Sequence, residues 1–291
     1  MTRLNKTLSP FLILLAAILW GTTGTTQAFA PEAAHPIAIG ATRLAVGGVF
    51  LLLLIEGQLN LKHWSIRSTL LAALSMALYQ PFFFSAVLMT GVAIGTVVAI
   101  GSAPILSGVI EWVFKRKHPT RVWWYATLTS IVGCLLLFMN QGSIDVDTLG
   151  IILAIGAGLT FAVFTVVSSD LVEKHSSLSV MAVVFTLSAI FLSPFLFIYD
   201  MSWIASFQGF SVSLYLGVAA TGFAYLLFAR GLVYVSSSTA VALSLAEPLT
   251  ATLLGVFLLG ESLHATSWKG MVLIIVGIGM LVVLARKSEH E

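Results

Sequence analysis

Glu247 and Pro248 stand together in the middle of an apolar run, residues 236–261, long enough to cross a bilayer. A carboxylate at that depth costs roughly 2.5–3.5 kcal/mol even on lenient insertion scales. The adjacent proline removes a backbone donor and crowds the preceding turn, so the helix is expected to bend there. A chain that keeps both has to shelter them against protein or in a watery hollow. Two kinds of chemistry fit such an acid: carrying a proton, or pairing with the ammonium of a solute. The plainer alternative is a helix breaker whose carboxylate is bonded to neighbouring backbone or to an arginine.

Arg43 is the one cation well inside a predicted span. Its planar fork can grip a carboxylate through two parallel hydrogen bonds. It can equally be a fixed partner of Glu247, or run its stem toward the membrane surface. Tyr79, Gln80 and Phe83 share a helix face by their spacing, with Pro81 between them, and Trp20, Thr23 and Gln27 form a similar stripe. Polar groups among aromatics suit a small zwitterion with an apolar side chain; the same residue types also glue membrane helices together. Tyr225, 146 positions after Tyr79, either mirrors it or packs between helices. Near predicted span ends, Glu111 is assigned to an i, i+4 pair with Lys115, and Arg230 to a surface anchor.

The missing motifs narrow the chemistry. No Gly-x-x-x-x-Gly-Lys-Ser/Thr phosphate loop occurs, so direct drive by ATP is not expected. Without a buried carboxylate pair, a histidine cluster or a nucleophile elbow, no enzyme and no catalytic residue are expected. Cys134 is the lone cysteine and all six histidines fall in predicted loops or termini, so neither a metal site nor a cofactor is expected.

These residues need elements to hold them. Hydrophobic residues make up 58% of the 291-residue chain and charged ones 9%, with a mean hydropathy of +1.03. Soluble domains carry about 25% charged residues, so an all-α integral membrane protein is expected. Its ten spans are 8–29, 36–55, 68–88, 92–114, 122–139, 149–168, 178–199, 210–229, 237–259 and 268–284, which leaves no room for a soluble domain. Arg3 and Lys6 precede the first span and Ala28-Phe29-Ala30 resembles a cleavage site. The run is too long for a leader core and more membrane helix follows, so it is read as a retained span.

Lysine and arginine alternate with the loops. One side takes Arg3, Lys6, Lys62, Arg67, the cluster Lys115–Lys117 with Arg121, then Lys174, Arg230, Arg286 and Lys287; the other holds Glu32, Asp145, Asp147, Asp200 and Glu261, with Lys269 as its only clear cation. By the positive-inside rule both termini are cytoplasmic. Pro104 precedes Pro248 by 144 positions, and the same shift carries Trp124 onto Trp268 and Ile131-Val132-Gly133 onto Ile275-Val276-Gly277. The chain therefore reads as two related halves, residues 1–140 and 149–291, joined outside by 141–148. Five spans per half is an odd number, so the halves are inverted, and inverted repeats with broken helices near the midplane are a transporter signature. Lys117 falling on Glu261, at opposite membrane faces, agrees with the inversion. Pro104 and Pro248 are the expected hinges.

Ile18-Leu19-Trp20-Gly21, Arg43, Ala246-Glu247-Pro248 and Leu259-Gly260-Glu261, in that order and over essentially the whole chain, resemble the drug/metabolite transporter superfamily, specifically its ten-helix EamA-like family. Phe161 stands where many members repeat the tryptophan. The resemblance implies an inner-membrane exporter of small metabolites, often amino acids. Joined to the residues above, it gives alternating access for neutral or aromatic amino acids, with the solute held near mid-membrane by Trp20, Thr23, Arg43, Tyr79, Gln80, Phe83, Tyr225 and Glu247. Arg43 and Glu247 would balance charge. The rivals are a broad-specificity drug or lipid-linked-sugar carrier and a non-transporting scaffold or sensor; the lack of soluble domains speaks against the last. Both halves lie in one chain, so a monomer is expected to suffice, with the bilayer and a small-molecule substrate as its partners and no nucleic acid.

Overall fold

The structure is a computed structural model that describes residues 3–55, 64–139, 147–260 and 262–287. The expectations for Lys62, Asp145, Glu261 and most of the linker 141–148 lie outside the described residues, as do the side chains of Arg3, Lys6 and Lys287.

Helices start where the sequence supplies a cap. Ser65, Thr120, Asp147, Ser176, Ser206 and Ser236 each precede a helix and accept a hydrogen bond from a backbone N–H inside it, which satisfies donors the helix cannot pair by itself. Ahead of Pro36 the cap is His35, whose Nδ1 accepts from the Ile37 N–H at 3.3 Å. The spans are α1 (Arg3–Ala28), α2 (Pro36–Leu53), α3 (Ile66–Val92), α4 (Ile94–Lys115), α5 (Arg121–Phe138), α6 (Thr148–Val172), α7 (Ser177–Leu192), α8 (Phe207–Leu232), α9 (Ser237–Leu243 continued by Ala246–Leu259) and α10 (Ala265–Lys287).

Several of these depart from plain rods. α3 and α4 join without a loop, through Gly91 alone, at φ 82° and ψ 160°, a conformation open to glycine almost exclusively. α7 is shorter than the expected 178–199: Pro194 has no N–H for the Ile190 carbonyl, which accepts instead from the Ser193 hydroxyl and N–H, and one further turn, Phe195–Ile198, follows. α8 carries a π turn at Val218–Phe223, the kind of insertion that frequently marks functional sites.

The packing is that of two inverted five-helix repeats. α1 packs on α8 and α9, and its counterpart α6 packs on α3 and α4, while α2 meets α7 and α5 meets α10 across the middle. The α5–α10 contact displays the symmetry atom by atom. A Cβ on Gly133 would sit 2.6 Å from the Gly270 carbonyl oxygen, and one on Gly277 would sit 2.6 Å from the Ala126 carbonyl oxygen. The 144-position shift turns the first contact into the second. Small residues let membrane helices approach closely, and here both ends of the approach are repeated.

Candidate functional site

Between the halves lies a cavity of about 610 Å³, within the range typical of small-molecule sites. All of the residues expected to bind solute line it: Trp20 and Thr23 on α1, Arg43 on α2, Tyr79, Gln80 and Phe83 on α3, Tyr225 on α8 and Glu247 on α9. Pro248 also lines it; Pro104 does not, although its neighbour Ala103 does. The cavity runs from these mid-span positions to Ala28, Pro36, Leu88 and Phe138, which all lie at one end of the bundle, where α1 passes into α2, α3 into α4 and α5 toward α6.

Glu247 is placed by a break in α9. The first segment stops at Leu243 and the second begins at Ala246. Pro248 offers no N–H to the Ser244 carbonyl, and the Glu247 N–H takes it instead, at 2.9 Å. Across the break, Gly21 lets α1 touch α9: a Cβ there would come within 2.7 Å of the Glu247 carbonyl oxygen. Glu247 is half-buried and lines the cavity. The equivalent helix α4 runs unbroken through Pro104, so the two prolines differ in local structure.

Aromatic rings make up much of the remaining wall. Trp20 and Tyr225 lie 4.7 Å apart between centroids, Trp20 meets Phe161 edge-on at 5.9 Å, and Tyr79 touches Phe161 at 5.8 Å and stacks on Phe83 at 5.6 Å. Phe161 on α6 is therefore the hub that joins α1 to α3. The position looked like a departure when read as sequence, yet it retains the ring contacts that matter. Offset and edge-on pairs of this kind contribute about 0.5–1.5 kcal/mol each beyond buried area, so the wall is stiff.

Arg43 is held elsewhere than expected. Its Nε donates to Thr221 Oγ1 at 2.8 Å and its Nη2 to the Ala220 carbonyl at 3.1 Å, both within the π turn of α8. Among the described residues it forms no ion pair with Glu247, so the two charges share the cavity wall without touching.

The end of the bundle away from the cavity mouth is shut by polar contacts, and here one assignment needs correcting. Glu111 does not pair with Lys115. Its carboxylate, in a residue only 3% exposed, accepts from the Ser237 and Ser238 N–H groups at 3.3 and 3.1 Å, capping the start of α9 from the other half. Lys115 instead meets Asp170 on α6, Nζ to Oδ1 at 2.6 Å, and donates to the Val166 carbonyl at 3.3 Å. A local i, i+4 pair is worth only a few tenths of a kcal/mol, and cross-half partners at a buried helix start outweigh it.

Several lining residues were not singled out from sequence. Ala251, Thr252 and Gly255 follow Glu247 by one and two helical turns along the same face, and projecting that stripe from Glu247 would have found them. Thr221, which holds Arg43 without lining the cavity, carries no local signal, because its partner lies 178 positions away.

Known proteins agree with this architecture. The model of the EamA-like transporter family matches residues 7–139 and again residues 148–283. The uncharacterized transporter YwfM of Bacillus subtilis (strain 168) is 48% identical over 279 residues, covering 95% of this chain and 94% of its own. The uncharacterized inner membrane transporter YicL of Salmonella typhimurium (strain LT2) is 25% identical over 294 residues, covering 96% of each. One solved crystal structure superposes with a TM-score of 0.84 at 19% identity, over 99% of this chain and 100% of that one, a likeness of fold alone.

Proposed function

Because the chain belongs to the EamA-like transporter family, we propose that it exports small metabolites, with neutral or aromatic amino acids as the best-fitting class, across the cytoplasmic membrane by alternating access. The observation that carries this reading is the convergence of eight residues from five helices on one cavity with a carboxylate at its floor and rings along its wall. An ammonium suits Glu247, and an apolar side chain suits the rings of Trp20, Tyr79, Phe161 and Tyr225.

The shut end carries Lys115, Arg116, Lys117 and Arg121, which makes it the cytoplasmic one, and both termini lie on that side. The cavity then faces outward, and the latch at Glu111 and the Lys115–Asp170 pair are what must part for the solute to enter from within. The repeats extend over residues 1–140 and 149–291 with 141–148 between them, and one chain is the working unit.

Counterflow of labelled phenylalanine and leucine in proteoliposomes tests the reading. Accumulation against unlabelled amino acid inside supports it, and a parent protein that exchanges neither overturns it. Glu247→Gln, correctly folded, is expected to lower counterflow at least tenfold; parental rates across a pH series would remove the carboxylate from the mechanism.

A further inference from the structure

The cavity holds one arginine, yet that arginine already has partners. Arg43 Nε and Nη2 both donate into the π turn of α8, and Gly47, one turn along α2, packs so closely on that turn that a Cβ would lie 2.8 Å from the Thr221 methyl. The guanidinium is thus pinned to the wall by the helix it braces. Two of its five donors are committed in this way, which fixes the guanidinium in place and leaves room for other donors to receive an anionic end of the solute.

α1 supplies them. Trp20, Thr23 and Gln27 all line the cavity, and in each the donor atom, Trp20 Nε1, Thr23 Oγ1 and Gln27 Nε2, is shielded from solvent with no hydrogen-bond partner. Neighbouring hydroxyls on the same helix behave differently. Thr22 donates to the Leu19 carbonyl at 2.6 Å and accepts from the Tyr215 hydroxyl, and Thr26 donates to the Thr22 carbonyl at 2.9 Å. A threonine in a helix ordinarily bonds back to its own turn. Thr23, on the cavity side, does not. Buried donors are usually paired; unpartnered ones occur elsewhere among the described residues, but these three share one helix face by spacings of three and four, and all belong to residues that line the cavity.

We propose that a column of uncharged donors on α1, Trp20 Nε1, Thr23 Oγ1 and Gln27 Nε2, receives the carboxylate of the solute, and that Arg43 is a positioning residue that braces α8. This rests on the amino-acid reading above and assigns the end of the substrate that Glu247 does not hold. A carboxylate has two oxygens and about four acceptor directions, and neighbours at i, i+3 or i+4 lie about 5–6 Å apart, so one carboxylate can bridge two members at a time. Two stations follow. Trp20 with Thr23 lies beside Glu247, where Gly21 brings α1 against α9. Thr23 with Gln27 lies one turn nearer the mouth at Ala28. In the structure the three donor atoms are shielded, so receiving the solute includes a rotation of the Trp20, Thr23 and Gln27 side chains that turns them to it. Neutral donors hold an anion without a permanent ion pair, which lets it move along the column and leave.

The test is counterflow of labelled phenylalanine in proteoliposomes, with unlabelled phenylalanine, phenethylamine and N-acetylphenylalanine as competitors. The parent protein is expected to prefer phenylalanine to phenethylamine, which lacks the carboxylate, by about tenfold or more, as a site built to hydrogen-bond a group rejects the analogue without it. Thr23→Val and Gln27→Leu are expected to shrink that preference to about threefold or less while leaving discrimination against N-acetylphenylalanine intact. Glu247→Gln is expected to do the reverse. Arg43→Lys is expected to lower thermal stability and keep the preference. If phenylalanine exchanges but the preference survives both α1 substitutions, or collapses in Arg43→Lys alone, the column is wrong and the amino-acid reading stands. If the parent exchanges no amino acid, both fall together.

Discussion

Replacing Glu111 with alanine should unlatch the shut end of the bundle. The carboxylate belongs to α4 in the first half, and it accepts from Ser237 and Ser238 at the start of α9 in the second. A hydrogen bond to a charged group is worth about 1.5–3 kcal/mol, so the two together are worth roughly 3–6 kcal/mol gross. Water entering an opened end would solvate both partners and return part of that, leaving about 2–3 kcal/mol as the difference between shut and open. That is about 30- to 150-fold in the population of the shut state. Alanine also leaves two buried N–H groups unpaired in the shut state, which pushes the same way. Glutamine keeps the shape but only a neutral oxygen, and should fall between. A cysteine at Ala240, wholly buried in the first segment of α9, reports the change once the buried Cys134 has been replaced by alanine. In inside-out vesicles an impermeant maleimide should label Ala240→Cys slowly, and at least tenfold faster with Glu111→Ala added. Equal labelling rates in the parent, Glu111→Gln and Glu111→Ala would refute the latch.

Other expectations follow from the same geometry. Gly133→Leu should lower the thermal midpoint in detergent by an amount equivalent to about 1–3 kcal/mol, because its Cβ would press on the Gly270 carbonyl; Gly279→Ala in α10, where nothing lies within 4 Å, should hold or raise it. Gly91→Ala should cost about 1–3 kcal/mol through backbone strain alone, since its φ of 82° is the difficulty and open space surrounds it; an unchanged melting curve would contradict that. In the loop after α7, the Ser202 N–H and hydroxyl donate to the Asp200 carboxylate at 2.8 and 2.7 Å, and hold its carboxyl below the ordinary range. A lowered pKa means that this support is complete above the ordinary carboxylate value and lost as pH falls through the lowered one. Hydrogen exchange in the 199–206 segment, corrected for intrinsic rate, should therefore rise only below the ordinary carboxylate range, and at neutral pH in Asp200→Ala.

What could be read from the residues alone divides by range. Span positions were legible because apolar runs end at strong local punctuation: Ser, Thr and Asp caps, Pro36 at a first turn, and Gly91 between α3 and α4. The stripes on α1 and α3 were legible because helical spacing is itself a geometry, and both face the cavity. The partners of Glu111 and Arg43 were not. They lie 126 and 178 positions away, and in each case a nearer or more obvious partner of opposite charge was available to mislead. The break in α9 was foreseen from Pro248, but the unbroken course of α4 through Pro104 shows that a proline permits a bend and packing decides it.

That difference between the halves bears on which way the carrier rests. In an inverted-repeat transporter the two end states exchange the roles of the repeats, so identical halves would make the inward-shut and outward-shut states equal in energy. The shift of 144 positions that superposes the halves carries Glu111 onto Gly255 and Lys115 onto Leu259. Gly255 lies on the cavity wall and has no side chain to bond a helix start, so the mirrored latch does not exist. Under the proposed alternating access, the stabilisation of about 2–3 kcal/mol at Glu111 has no counterpart at position 255, and it would bias the empty protein toward the state with the cavity open at the Ala28–Phe138 end. On that proposal, a solute arriving from the Lys115 side would have to supply the difference by binding the opposite state more tightly, since a ligand shifts an equilibrium only by its differential affinity for the two states.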